Sequence, residues 1–192
     1  MTITIQLIRH GITKGNLEKR FIGCRTDEPL CSQDIEEIKK LTDAKIYNDS
    51  DLIFSSPLKR CIETAKLIFP DKEINIIENF KEIDFGLFEN LNHKELNGNK
   101  SYQRWIDSNG TDDLPCGEKL KDFADRTMDA FEKMLKASNG KSVSAVAHGG
   151  TIMAIISALK GGNFYDYFCQ NGHGYIFDYS AEDKKIFNLR KI

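Results

Sequence analysis

Two histidines stand at equivalent points of two apolar runs. Ile5-Gln6-Leu7-Ile8-Arg9-His10-Gly11 closes one run, and Val143-Ser144-Ala145-Val146-Ala147-His148-Gly149-Gly150 closes the other. Each run has the make-up of a β-strand and is followed by a segment able to turn into helix. In an open α/β sheet, ligands lie outside the carboxyl ends of the strands, so two imidazoles far apart in the chain can share one pocket. Arg9 precedes the first histidine, Gly11 lets backbone come close to a ligand, and Thr13 and Asn16 add hydrogen-bonding groups. Arg60 falls in the first turn of another expected helix, directly after a strand, where its guanidinium can reach back over the same sheet edge. Guanidinium forks match phosphate oxygens in pairs. Helix starts near Arg60 and at Gly149 would aim free N–H groups into the same space. Together these groups describe a cradle for a phosphoryl dianion. His10 can act there as a nucleophile if it is neutral, with one ring nitrogen free. A hydrogen bond from its other nitrogen to a backbone carbonyl would fix that tautomer, and Arg9 and Arg60 would disfavour its protonation.

Other phosphate chemistries are not indicated. The chain has no Gly-x-x-x-x-Gly-Lys-Ser/Thr loop and no Asp-rich magnesium cluster. Phosphoryl transfer without a metal or other cofactor requires protein cations to neutralise the transition state. The formal charge of −2 over 192 residues offers no general attraction to nucleic acid or to anionic membrane. Any anionic ligand must be drawn by local positive groups. No apolar run approaches the roughly 20 residues of a membrane helix, and Met1-Thr2-Ile3-Thr4 does not begin a signal peptide. A soluble cytoplasmic protein is the expectation. Cys24, Cys31, Cys61, Cys116 and Cys169 are scattered and odd in number, which reads as reduced thiols, some in the core.

The elements that must position these residues alternate. Residues 2–8 read as a strand with Thr2, Thr4 and Gln6 on one face. Residues 33–41 read as an amphipathic helix through Ile35, Ile38 and Leu41. A strand follows at 51–54, then a helix for which Ser56 would be the N-cap and Pro57 the first helical position. Residues 74–77 suggest a third strand. Residues 84–117 hold Gly86, Gly98, Gly110, Pro115 and Gly117 around a short helical piece near Tyr102, Trp105 and Ile106. They read as an excursion from the scaffold, a lid or specificity insertion. A long helix over about 118–135, a strand before His148, a helix over 152–159 stopped by Gly161-Gly162, and a hairpin through 175–177 and 186–189 complete the chain. The class is α/β with a mostly parallel sheet, in one domain over 1–192.

Arg9-His10-Gly11-x-Thr13-x-x-Asn16 resembles the signature of the histidine phosphatase superfamily, in its phosphoglycerate-mutase-like branch. Ser55-Ser56-Pro57-Leu58-x-Arg60-Cys61-x-x-Thr64-Ala65 is similar to that branch's second motif. Glu82-Ile83-Asp84-Phe85-Gly86-Leu87-Phe88-Glu89 is similar to its acidic motif, and Ala147-His148-Gly149-Gly150 to its last. The resemblance implies a three-layer α/β/α fold, with His10 as phosphate acceptor. It implies that Arg9, Arg60 and His148 hold the phosphoryl oxygens, assisted by Asn16 and Thr13. Glu82 would protonate the leaving oxygen and then activate water. A carboxyl beside a phosphate dianion is pushed toward the protonated form that a general acid needs.

The chain departs from the family pattern in places. Leu30 continues as Cys31-Ser32-Gln33-Asp34 where the family often has Leu-Thr-x-x-Gly, and Phe88 and Asn90 stand where tryptophan and glycine are common. Glu89 could compete with Glu82. His93 and His173 read as loop or turn residues, His173 within reach of the site edge, and Tyr102 and Trp105 as lid packing or a stacking surface. A phosphatase is favoured over a phosphoglycerate mutase, because residues 89–117 carry Lys94, Lys100 and Arg104 but no paired arginines. The stretch from Tyr102 to Glu118, with Arg126, is similar to α-ribazole-phosphate phosphatases. A module that binds a phosphorylated partner without turnover is the remaining alternative.

Overall fold

The computed structural model describes residues 2–192, built on a six-stranded sheet. The strands are β1 (Thr2–Arg9), β2 (Leu52–Ser55), β3 (Ile74–Ile76), β4 (Val143–Ala147), β5 (Gly174–Ser180) and β6 (Lys185–Lys191), in the order β3-β2-β4-β1-β5-β6. The first four run parallel, and β5 and β6 add antiparallel at one edge. β1 and β4 are neighbours in register, with Arg9 opposite Ala147. Their carboxyl ends, and with them His10 and His148, are therefore side by side.

The helices are α1 (Lys14–Leu17), α2 (Ser32–Asp43), α3 (Lys59–Ile68), α4 (Lys100–Asp107), α5 (Leu120–Ser138) and α6 (Gly149–Lys160). The alternation in β1 decides which layer packs where. Ile3, Ile5 and Leu7 face a core shared with Ala130, Phe131 and Met134 of α5 and with Ile152, Ile155 and Ile156 of α6. On the opposite face Ile8, Ile53 and Val146 pack against Ile38 of α2 and Cys61, Ala65 and Ile68 of α3. This is the three-layer α/β/α arrangement that the family resemblance implies. A third cluster of Ile83, Phe88, Leu96, Leu114 and Phe123 lies under the 84–117 segment. That segment is anchored where Gly86 takes φ +56° and packs on the Pro115–Gly117 backbone; a Cβ there would lie 2.1 Å from the Pro115 oxygen.

Three local expectations change. Thr2 and Thr4 are exposed, but Gln6 is buried: its amide donates to Ser144 Oγ (3.0 Å) and accepts from the Asn48 N–H (2.9 Å). The helix after β2 begins later than the serine-proline pair suggests. Leu58 is its N-cap and Pro57 precedes it; the Ser56 hydroxyl pairs with His148 (2.8 Å) and also accepts from the Leu58 N–H (3.4 Å). Residues 164–167, for which the sequence suggests no element, form a 3₁₀ turn capped reciprocally by Asn163 and Asp166. All five cysteines are free thiols, with Cys61 and Cys169 buried.

Candidate active site

His10 follows the last residue of β1 and is almost fully buried. Its Nδ1 lies 2.6 Å from the carbonyl oxygen of Gly11. A carbonyl only accepts, so Nδ1 carries the proton and Nε2 keeps its lone pair. Burial holds its pKa well below the usual histidine value, and the Arg60 and Arg9 charges push in the same direction. The turn that bears it is tied down at several points. The Gly11 N–H donates to Thr64 Oγ1 (3.0 Å), the Ile12 N–H to Asp34 Oδ2 (2.5 Å), and Asn171 Nδ2 to the oxygens of His10 (3.0 Å) and Gly11 (3.2 Å).

The second ring, His148, is the N-cap of α6 and is fully buried. The two imidazoles meet edge to face with centroids 5.2 Å apart. Arg60 Nε donates to His148 Nδ1 (3.3 Å), so the ring's proton sits on Nε2 and is shared with Ser56 Oγ. Burial, then Arg60, holds this ring neutral as well. Arg60 is completely enclosed, and its other N–H groups donate to the oxygens of Thr26 (2.8 Å) and Gly23 (3.0 Å).

Arg9 differs from Arg60. Its Nη1 donates to the Cys169 oxygen (2.9 Å) and its guanidinium stacks over Phe168 at 5.5 Å, but its Nε is buried with no partner among the described residues. That atom lies beside the first turn of α6: a Cβ on Gly149 would stand 3.5 Å from it. A buried, charged donor without an acceptor is costly and rare in native proteins, and it marks where an anion would be stabilised.

Glu82 approaches the same turn from the loop that follows the 3₁₀ turn Glu78–Phe80 after β3. Its two oxygens accept from the backbone N–H groups of Ile83 and Gly150, each at 2.9 Å. Burial raises its pKa, while those two hydrogen bonds and the Arg60 and Arg9 charges pull it down. Arg126 braces the backbone behind it, donating to the oxygens of Asn79, Lys81 and Glu82 while held by both oxygens of Glu118 at 2.6 and 2.8 Å. Glu89 has a different place: it accepts from the Gly23 N–H (2.9 Å) and the Phe85 N–H (3.4 Å) and fastens the loop.

Thr13 and Asn16 form the reciprocal cap of the four-residue α1. The Thr13 hydroxyl accepts from the Asn16 N–H there (3.4 Å), which helps to position Asn16. Asn16 Oδ1 accepts from the Thr13 N–H and from Asn171 Nδ2, which leaves its amide nitrogen as the group available to a ligand. Among the described residues, no group of three or more His, Cys, Asp or Glu is placed to share a metal ion, and no helix is long and apolar enough to cross a membrane.

A cavity of about 300 Å³ opens over Arg9, Glu82, Gly149 and Gly150. Phe21, Phe85, Trp105, Phe164, Tyr165 and Phe168 are in its walls; among the described residues, Arg9 is the one basic group in its lining. Trp105 stacks on Tyr102 and meets Phe21 edge-on (6.3 and 5.5 Å between centroids), which leaves Tyr102 behind the wall. His173 does not line this cavity; its Nδ1 lies 3.1 Å from the Ile192 oxygen. Sequence reasoning misses Ser56 as a partner of His148, Asn171 as the brace of Asn16, and the 164–168 wall. The dense aromatics of Phe164-Tyr165-Asp166-Tyr167-Phe168 are the available signal for that wall.

This chain belongs to the histidine phosphatase superfamily (branch 1), whose pattern matches residues 5–190. It is 33% identical over 159 residues to the uncharacterized phosphatase PhoE of Bacillus subtilis (strain 168), covering 82% of this chain and 77% of that one. Its fold matches a putative alpha-ribazole-5'-P phosphatase of Escherichia coli K-12 with TM-score 0.85 and 25% identity, over 98% and 94% of the two chains. It also matches phosphoserine phosphatase from Entamoeba histolytica in complex with 3-phosphoglyceric acid, with TM-score 0.79 and 28% identity over 96% and 94%. The relatives thus include phosphatases, and probable phosphoglycerate mutases as well.

Proposed function

We propose that this protein is a cytoplasmic phosphatase that hydrolyses a small phosphomonoester through a phosphohistidine on His10, without a metal ion or other cofactor. The observation that carries the reading is the pairing of a buried Arg9 Nε that lacks an acceptor with a neutral His10 whose Nε2 lone pair is unengaged. In the first step Nε2 attacks phosphorus, the bond from phosphorus to the ester oxygen breaks, and protonated Glu82 gives its proton to that oxygen. In the second step water attacks phosphorus, the nitrogen–phosphorus bond breaks, and Glu82 takes the proton from water. Inorganic phosphate and the neutral ring are restored. Arg9, Arg60, the Asn16 amide and the Gly149 N–H neutralise the phosphoryl oxygens in place of a metal. His148 joins them by releasing Ser56 and turning its Nε2–H to the ligand. Thr13 serves through the cap that sets Asn16.

The cavity walls favour an apolar or aromatic leaving group, since flat hydrophobic faces gain most from such a partner. α-Ribazole 5′-phosphate fits that description. The mutase alternative has less support, because beyond Arg9 the described cavity lining holds no cation to grip a carboxylate. Binding without turnover has less support too, because nucleophile, acid and cations all converge. The 84–117 segment, which carries Trp105 on its short helix, acts as a lid within a single domain.

A test is phosphate release from phenyl phosphate in the presence of chelator, compared between wild type and His10→Ala, followed by a screen of phosphorylated metabolites. Chelator-resistant turnover that depends on His10 supports the proposal. Full activity of His10→Ala overturns it. Conversion of 3-phosphoglycerate to its isomer in place of free phosphate transfers the assignment to the mutase.

A further inference from the structure

The peptide unit between Gly11 and Ile12 is engaged at both ends. Its carbonyl oxygen receives the Nδ1 proton of His10 at 2.6 Å, and its N–H donates to Asp34 Oδ2 at 2.5 Å. Asp34 belongs to the first turn of α2, where the helix start favours negative charge. It is 6% exposed. Gly11 lets it approach so closely: a Cβ at that position would stand 2.2 Å from Asp34 Oδ2. Carboxylate, peptide and imidazole form one hydrogen-bonded line across a single amide plane.

We infer that Asp34 is a positioning and polarising residue for His10, acting through the Gly11–Ile12 peptide. A carboxylate on the N–H draws that proton toward itself and places more electron density on the carbonyl oxygen, and hydrogen bonds in series strengthen one another. The carbonyl then holds the Nδ1 proton more firmly and fixes the ring's tautomer. Its effect is largest after attack, because Nε2 has then bonded to phosphorus while Nδ1 keeps its proton, so the ring bears a positive charge. Burial raises the Asp34 pKa, and the Ile12 N–H opposes that rise. The inference rests on the proposed phosphohistidine chemistry.

Asp34→Asn is the informative change, because it keeps an oxygen for the Ile12 N–H and removes only the charge. Charge-assisted hydrogen bonds are roughly twice as strong as neutral ones. The rate of phosphoenzyme formation from phenyl phosphate, followed by rapid quench at about pH 8 where a carboxyl is ionised, is expected to fall about five-fold. The His10 Nδ1–H resonance is expected to move upfield while the rest of the amide spectrum is retained. Asp34→Gly should slow the step at least as much, and it supplies both readouts if the asparagine variant does not fold. Wild-type rate and resonance in the folded asparagine variant would overturn the inference, whatever the glycine variant does. Absence of phosphate on His10 in the wild type would instead overturn the underlying chemistry.

Discussion

Glu82→Gln separates the two steps of the proposed cycle. In the wild type both carboxylate oxygens accept a backbone N–H, from Ile83 and from Gly150. Glutamine keeps one acceptor and turns an NH₂ toward the other N–H. The unmet donor costs about 1–3 kcal/mol of stability, part of which is offset because a neutral group replaces one whose charge is disfavoured by burial. The kinetic effect depends on the leaving group. A general acid contributes ~10²–10⁴-fold when the departing oxygen needs a proton. Formation of phosphoenzyme from an alkyl phosphate should therefore slow by about that factor. With 4-nitrophenyl phosphate the nitrophenolate departs without a proton, so the first step should be nearly unchanged and the second slowed. Stopped-flow should show a burst of about one nitrophenolate per site, followed by a slow steady state. Equal slowing of the first step for both substrates, or no burst, would refute the assignment of Glu82.

Gly150→Ala should slow turnover of phenyl phosphate by displacing the Glu82 carboxyl while leaving it chemically intact. The added Cβ would lie 2.2 Å from Glu82 Oε1, and displacing a catalytic group by about 1 Å can cost roughly 10²-fold in turnover. Trp105→Ala should raise the KM for phenyl phosphate about ten-fold and leave that for glycerol phosphate nearly unchanged, since it removes one aromatic face of the cavity. The neutral histidines also set a pH dependence of folding. His10 and His148 have folded pKa values well below their unfolded value. Their contribution is therefore complete above the unfolded pKa and is lost as pH falls below it. Each should cost about 1.4 kcal/mol of stability between roughly pH 7.5 and 5.5. Urea unfolding of folded His10→Gln should show a loss smaller by that amount over the same range; an identical loss would contradict the buried neutral state. Glu82, with its pKa raised, works in the opposite sense, favouring the fold at lower pH and ceasing to do so as pH rises through its carboxyl range.

Residues that point inward with a regular period are legible in the sequence itself. The alternation of Ile3, Ile5 and Leu7 and the stripe of Phe123, Thr127 and Phe131 report burial through local spacing alone. The meeting of His10 with His148 is legible for a different reason: parallel neighbouring strands bring their ends together whatever the intervening sequence does. The rest is less visible where one residue type serves two purposes. A serine before proline reads as a helix cap, yet Ser56 works on a ring 92 positions away. Thr13 reads as a ligand group and also caps α1. Asn171, which ties Asn16 to the His10 turn, is 155 positions from the residue it braces. Asp34 stands out in the sequence only as a departure from a family pattern. Its meaning depends on an amide plane between β1 and α1 that no periodicity encodes.

The most direct test concerns which nitrogen of His10 takes the phosphoryl group. Wild-type protein mixed with phenyl phosphate, quenched in alkali within one turnover, digested and read by mass spectrometry and ³¹P NMR, should carry acid-labile phosphate on Nε2 of His10. Nδ1 is closed to attack by its bond to Gly11. Phosphate on Nδ1, on another residue, or on no residue during active turnover would contradict the proposed chemistry.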